Sequence, residues 1–135
     1  MLPAWINDYI GIPFVDHGRS TAGWDCWGLV WHVLHKHYSK ILPSFGAAYE
    51  RAEDGQEIAA LIDYSRPLLG AQRVEQPQSG DLALLTFRGH PCHIGIYLEA
   101  AGQGWLLHVL PHTGTVLDRV DSIRNNRRLE GYYRV

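Results

Sequence analysis

Cys26 stands in the run Gly23-Trp24-Asp25-Cys26-Trp27-Gly28-Leu29-Val30, ahead of apolar residues at helical spacing. A thiol in the first turn of a helix meets unpaired amides and the positive end of the helix dipole. Both favour the thiolate, which can titrate well below the free-thiol value of about 8.5. The position also suits a small buried apolar residue, the commoner fate of a free cysteine. A nucleophilic thiol needs an imidazole to take its proton and return it to the leaving amine. Among eight histidines, His93 opens the run His93-Ile94-Gly95-Ile96-Tyr97-Leu98, where alternation sets His93, Gly95 and Tyr97 on one face and the aliphatic residues on the other. His108 lies in Trp105-Leu106-Leu107-His108-Val109-Leu110. If the two strands pair around the loop Ala100 to Gly104, His108 falls beside His93 and can hold its ring through the far nitrogen. Each histidine also has an ordinary reading, as a half-buried strand residue or one half of a cross-strand polar pair.

The other histidines offer less. His32, His35 and His37 share one short helical segment, and only His32 and His35 are spaced as a two-ligand pair; they are expected to be solvated. His112, close to His108, is a fallback for its role. His90-Pro91-Cys92-His93 lacks the gathered acidic or sulfur partners that zinc takes, so no metal and no cofactor are expected. Cys26 and Cys92 are the only cysteines, too few for a disulfide scaffold or a paired-cysteine zinc site.

The elements that must position these residues divide by character. Trp24 to Tyr38 carries Trp27, Val30, Val33, Leu34 and His37 at spacings of three and four, a helix for which Gly23 and Asp25 suit the start. Glu53 to Ser65, with Ile58, Leu61 and Ile62 on one stripe, reads as a second helix. Asp81 to Phe87, His93 to Glu99, Trp105 to Leu110, Thr115 to Val120 and Leu129 to Val135 are short, rich in β-formers and separated by Gly, Pro, Asn and His. Helices first and strands afterwards predict an α+β domain, with helices packed on one face of a central antiparallel sheet.

With 135 residues, 46% of them apolar and 19% charged, the chain has the composition of one globular domain spanning 1–135. A formal charge of −2 gives no footprint for nucleic acid. The short run Arg124, Arg127, Arg128 is expected in a solvated turn. No apolar run approaches the roughly 20 residues that cross a bilayer, so no membrane partner is expected. Met1 to Ile10 holds Asp8 and no basic region, so it does not read as a signal peptide, and synthesis in the cytosol is expected.

Taken together, these segments resemble the NlpC-type family of papain-like cysteine peptidases, most closely its small bacteriophage tail-associated members. The resemblance runs from Trp5 and Gly11-Ile12-Pro13-Phe14 through Asp25-Cys26-Trp27-Gly28-Leu29-Val30, Leu42-Pro43, Gly80-Asp81-Leu82 and His93-Ile94-Gly95-Ile96-Tyr97-Leu98. It ends with His108 to Val116 and Gly131-Tyr132-Tyr133-Arg134. It implies a nucleophile helix packed on a sheet that carries the base, and hydrolysis of peptidoglycan stem peptides, typically between D-glutamate and a diamino acid. By matched position Cys26 is the nucleophile, His93 the general base and His108 the orienting residue. Asp25 matches an acidic residue that can hold the free amine of a stem peptide. Phe14 stands where many members have a tyrosine, and so lacks a hydroxyl for the oxyanion site. Trp27 replaces a frequent serine and narrows or reshapes the cleft. A phage or prophage product delivered by a tail, with other tail proteins as partners, is the implied context. The alternatives are a tail-assembly or interaction protein that keeps the fold without cleaving, and acyl transfer by the same thiol onto an amine.

Overall fold

The computed structural model describes residues 1–125 and 128–135. After a short 3-10 turn at Ala4–Asp8, a hairpin of β1 (Arg19–Ser20) and β2 (Gly23–Trp24) leads into helix α1 (Cys26–Tyr38). Helix α2 (Gly55–Leu68) follows, then strands β3 (Gln72–Val74), β4 (Leu82–Phe87), β5 (His90–Ala100), β6 (Gln103–Leu110) and β7 (Gly114–Arg119), helix α3 (Val120–Asn125) and strand β8 (Leu129–Arg134).

Helix α1 begins where the Asp25 carboxylate accepts from the Gly28 N–H at 2.9 Å, satisfying one of the amides that a helix start leaves bare. That places its start two residues after the expected Trp24, which belongs to β2 instead. Its buried stripe is Cys26, Leu29, Val30, Val33 and Leu34. Ser39, in the left-handed region with φ of 55°, ends it. Helix α2 likewise starts at a cap, Asp54 accepting from the Glu57 N–H, and runs three residues beyond Ser65 to close just past Pro67.

The main sheet has the order β3-β8-β4-β5-β6-β7, and every neighbouring pair is antiparallel. Strands β4 to β7 form the expected meander, and β8 returns to pair with the free side of β4. The β5 strand starts at His90 because Arg88 and Gly89, both at positive φ (50° and 83°), make a two-residue hairpin that a Pro-containing sequence disguises. Pro91 is tolerated at a bulge: Leu85 faces His93 while Thr86 faces Pro91, leaving Cys92 as the extra residue.

The larger core joins α1 residues Leu29, Val30 and Val33 to Ile94, Ile96, Leu98, Leu107 and Val109 of the sheet. A smaller cluster gathers Leu85, Tyr97, Leu106 and Tyr132 with Val120 and Ile123 of α3. Helix α3 therefore covers residues that a one-faced arrangement would leave bare, and Val120, expected to end a strand, starts it instead. Of the expected arginine turn, Arg124 lies in α3, Arg127 falls outside the described residues, and Arg128 is exposed with its guanidinium 5.3 Å from the Phe87 ring.

Candidate active site

Cys26 is the first residue of α1, and its neighbour Asp25 is the cap. The Asp25 carboxylate is 1% exposed. Besides Gly28 N–H, it accepts from the His17 N–H at 3.0 Å, from Arg19 Nη1 at 2.7 Å and from the Tyr49 hydroxyl. A carboxylate offers about four acceptor sites, and here all four are filled. Asp25 therefore cannot also hold a substrate amine; the expected binding role gives way to an anchoring one. Arg19 extends the anchor with Nε to Ser44 O and Nη2 to the Tyr49 hydroxyl. His17 adds both ring nitrogens, facing Gly46 O at 2.7 Å and Glu50 O at 2.8 Å. Those two carbonyls, the Glu50 one foremost, raise its pKa against the opposing effect of burial. The segment 44–50 is thus fastened to the hairpin that precedes the cysteine.

His93 and His108 meet through Nε2 of the first and Nδ1 of the second, 2.8 Å apart and buried. On its other side His108 Nε2 lies 2.7 Å from Asp118 Oδ2. Gly95 makes the meeting possible: a Cβ there would lie 2.8 Å from Leu107 O and 3.0 Å from the His108 Cβ. The hydrogen positions follow from the acceptors. Asp118 can only accept, so His108 Nε2 carries the proton; burial lowers the His108 pKa despite Asp118, so the ring is neutral and Nδ1 is bare. His93 Nε2 must then donate to His108, which leaves His93 Nδ1 as a free base. Asp118 was not among the candidates. It sits opposite Leu106 in the β6–β7 register, one same-face step from His108, and only that register discloses it.

The cysteine abuts β5 from the α1 side. Its sulfur lies near the main chain of Ile94, the residue after His93, and that group and the Trp27 main chain favour the ionised form. They do not prevail. Burial, and then the Asp25 charge, push the Cys26 thiol up to about 12, the reverse of the lowering expected from the helix terminus. Desolvation of the thiol on a residue only 7% exposed outweighs a dipole that is already spent on Asp25. Burial, then the neighbouring His108 and Arg128, push His93 down to about 3. No hydrogen bond joins the Cys26 sulfur to either imidazole among the described residues, and the Cys92 thiol donates to Phe87 O at 3.9 Å. In the resting site the thiol is neutral against the main chain of Ile94, and the His93 imidazole is neutral against His108.

Trp27 is half-buried, with Nε1 donating to Pro43 O at 3.0 Å and its ring 5.6 Å from that of Phe45. It walls an apolar cavity that also reaches Cys26. Phe14 bridges to Trp24 and packs against the larger core, outside that wall. The expectation that His32, His35 and His37 are all solvated holds for His35 alone. The Tyr9 hydroxyl lies 3.2 Å from His32 Nε2 and 2.7 Å from His37 Nε2, and His37 stacks on Trp5 at 4.0 Å. His112 is exposed in the β6–β7 turn at positive φ, and it is His108 that meets His93. Among the described residues no cluster of three or more His, Cys, Asp or Glu could hold a metal.

A family model described as NlpC/P60 matches residues 11–132. The crystal structure of the NlpC/p60 domain of the peptidoglycan hydrolase SagA is similar in fold, with a TM-score of 0.59, 18% identity, and coverage of 98% of this chain and 97% of that one. No curated protein matches the chain.

Proposed function

Given that the chain belongs to the NlpC/P60 family, we propose that it is a cysteine peptidase of bacterial peptidoglycan, with Cys26 as nucleophile and His93 Nδ1 as base. What supports the reading above all is the hydrogen-bonded chain from buried His93 through buried His108 to half-exposed Asp118, which fixes a bare nitrogen on the residue preceding the strand segment that Cys26 abuts.

A lone thiolate and a lone imidazolium are each disfavoured in this dry site, so the proton moves from Sγ to Nδ1 as the sulfur attacks a peptide carbonyl, without creating net charge. The new imidazolium keeps its Nε2–H on His108, and Asp118 offsets the charge through that ring. His93 then gives the Nδ1 proton to the departing amine, and afterwards takes one from the water that clears the thioester. The unpaired first-turn amides of α1, Cys26 N–H among them, are the oxyanion donors, since Phe14 has no hydroxyl to offer.

The substrate we assign is the stem peptide, cut between D-glutamate and the diamino acid, in a single domain spanning 1–135. Its amine must be held by a group other than Asp25. We place the protein as a phage or prophage product, made in the cytosol and carried to the wall in a tail. Purified stem peptides incubated with the wild type, Cys26→Ala and His93→Ala decide the matter. The wild type cleaves, and each variant falls by about 10² or more. Three equally inert proteins would defeat the peptidase reading. A second reading, a tail-assembly protein that keeps the fold without cleavage, has one observation in its favour: the buried Cys26 makes no hydrogen bond to an imidazole among the described residues. It requires stable association with tail components that Cys26→Ala leaves unchanged.

A further inference from the structure

The hydroxyl of Tyr9, a residue 3% exposed, is shared by two imidazoles of α1, and the peptide chemistry above uses none of the three groups. Its oxygen lies 3.2 Å from His32 Nε2 and 2.7 Å from His37 Nε2. Aromatic rings enclose the trio: Trp24 is 5.2 Å from the His32 ring, and Trp5 stacks on His37 at 4.0 Å. Trp5 and Tyr9 thereby hold the first segment of the chain on α1. Beyond them the Gly11 N–H donates to Thr115 O at 2.9 Å and the Thr115 N–H to Ile12 O at 2.8 Å, so the end of the segment is tied separately to β7. A phenol has one proton to donate. Set between two ring nitrogens, it donates to one, which must be bare, and accepts from the other, which must carry hydrogen. A first added proton leaves that pattern intact, because it takes Nδ1 of the ring whose Nε2 is already an N–H. A second has to take the bare Nε2; the hydroxyl then loses its acceptor and two cations converge on one buried oxygen.

The neighbours do not offset that charge. On α1, Lys36 acts against protonation of both rings, and His35 and His37 against that of His32. Arg19 of the β1–β2 hairpin shares a groove with His32 and is itself bound to Asp25. Trp5 and Trp24 are uncharged, and the Asp8 carboxylate acts on the Tyr9 hydroxyl. Burial first, then Lys36, hold both imidazoles below their ordinary 6.5. We propose that Tyr9, His32 and His37 form an acid-sensitive latch, which stays shut while at most one of the two imidazoles is protonated and opens when both are, releasing Trp5 and Tyr9 from α1. It works independently of the assignment of Cys26. The direction follows from linkage: an open latch takes up the second proton near the ordinary 6.5 and a shut one only at lower pH. The open population therefore grows by about tenfold for each pH unit below that value.

Hydrogen exchange followed by NMR on the full chain, from about pH 7 to about pH 4.5 and with each rate divided by that of an unprotected amide at the same pH, tests it. The Tyr9 and Ile10 amides, both bonded to Ile6 O, should lose protection by about tenfold per pH unit. In His32→Gln and in His37→Gln one titrating ring remains, and the carboxamide serves the hydroxyl as donor or acceptor. The same two amides should then keep their protection to within about threefold across the range, while Ile96 and Leu98 of β5 report any loosening of the whole fold. Tyr9→Phe, which keeps the ring, should bring together the two imidazole titrations, which in the wild type lie about one pH unit or more apart. Protection at Tyr9 and Ile10 that is flat in the wild type, that falls as steeply in both glutamine variants, or that falls only in step with Ile96 and Leu98, overturns the latch. So do imidazole titrations equally spaced with and without the hydroxyl.

Discussion

Replacing Asp118 by alanine removes the last member of the chain that fixes the His93 tautomer. The Asp118–His108 contact is short, 2.7 Å, and the His108 side chain is 5% exposed, but Asp118 itself is 46% exposed. A hydrogen bond to a charged group contributes about 1.5–3 kcal/mol when well buried; solvent screening at the half-exposed carboxylate takes the lower end, about 1.5 kcal/mol or less. Lost only in the transition state, where the imidazolium forms, that amounts to roughly tenfold in kcat with KM little changed. Without Asp118 the His108 ring is also free to turn its proton toward Nδ1, which would oppose the His93 Nε2–H. Stem-peptide hydrolysis should be measured for Asp118→Ala, Asp118→Asn and His108→Ala, and for the Asp118→Ala, His108→Ala double variant. The first should lose about tenfold, its pH profile shifted downward on the acid limb as the imidazolium loses its counter-charge, while asparagine, still able to accept through its oxygen, recovers part of the rate. In the double variant Asp118→Ala should add nothing, because its effect passes through His108. Full activity in Asp118→Ala, or a loss that simply multiplies with that of His108→Ala, refutes the reasoning.

Gly95→Ala should destabilise by about 1–3 kcal/mol and displace His108, since the new methyl would press on Leu107 O and the His108 Cβ; thermal melting and stem-peptide kinetics check both. Asp25→Ala should cost about 3–5 kcal/mol, because it removes the α1 cap and leaves Arg19, 15% exposed, without its partner; an unchanged melting temperature with a raised KM would instead make Asp25 an amine-binding residue. For pH, His93 has a folded pKa of about 3 against an ordinary 6.5, so the unfolded chain binds the extra proton first and stability falls as pH drops below 6.5 toward 3. Urea unfolding should show a loss on the order of 3 kcal/mol between pH 7 and 4 that His93→Gln reduces. For Cys26 the sign reverses: its folded pKa of about 12 lies above the ordinary 9.0, so stability falls as pH rises from 9 toward 12, and Cys26→Ala flattens that limb.

What the sequence disclosed, and what it withheld, follows the range of the interactions. Helix α1 was legible because its stripe and the Asp25 cap are local. His93 and His108 were placed together by strand alternation and one hairpin, both short-range. Asp118 needed a second register, β6 against β7, that no local pattern specifies. The filling of Asp25 takes His17 and Arg19 from eight and six residues before it and Tyr49 from a loop twenty-four residues after it, and no local pattern announces that meeting. The same holds for His32 and His37, whose helical spacing says nothing of the Tyr9 hydroxyl they share. The thiol was misjudged because the helix terminus acts within one turn, whereas the desolvation that overrides it comes from α2 and the sheet.

The most direct test of the catalytic assignment is to trap the covalent intermediate. Stem peptide mixed with the protein and acid-quenched within the first turnover should leave the acyl fragment as a thioester on Cys26, located by peptide mass mapping and absent in His93→Ala. Cleavage that persists in Cys26→Ala, or an adduct carried by Cys92 instead, would contradict the account.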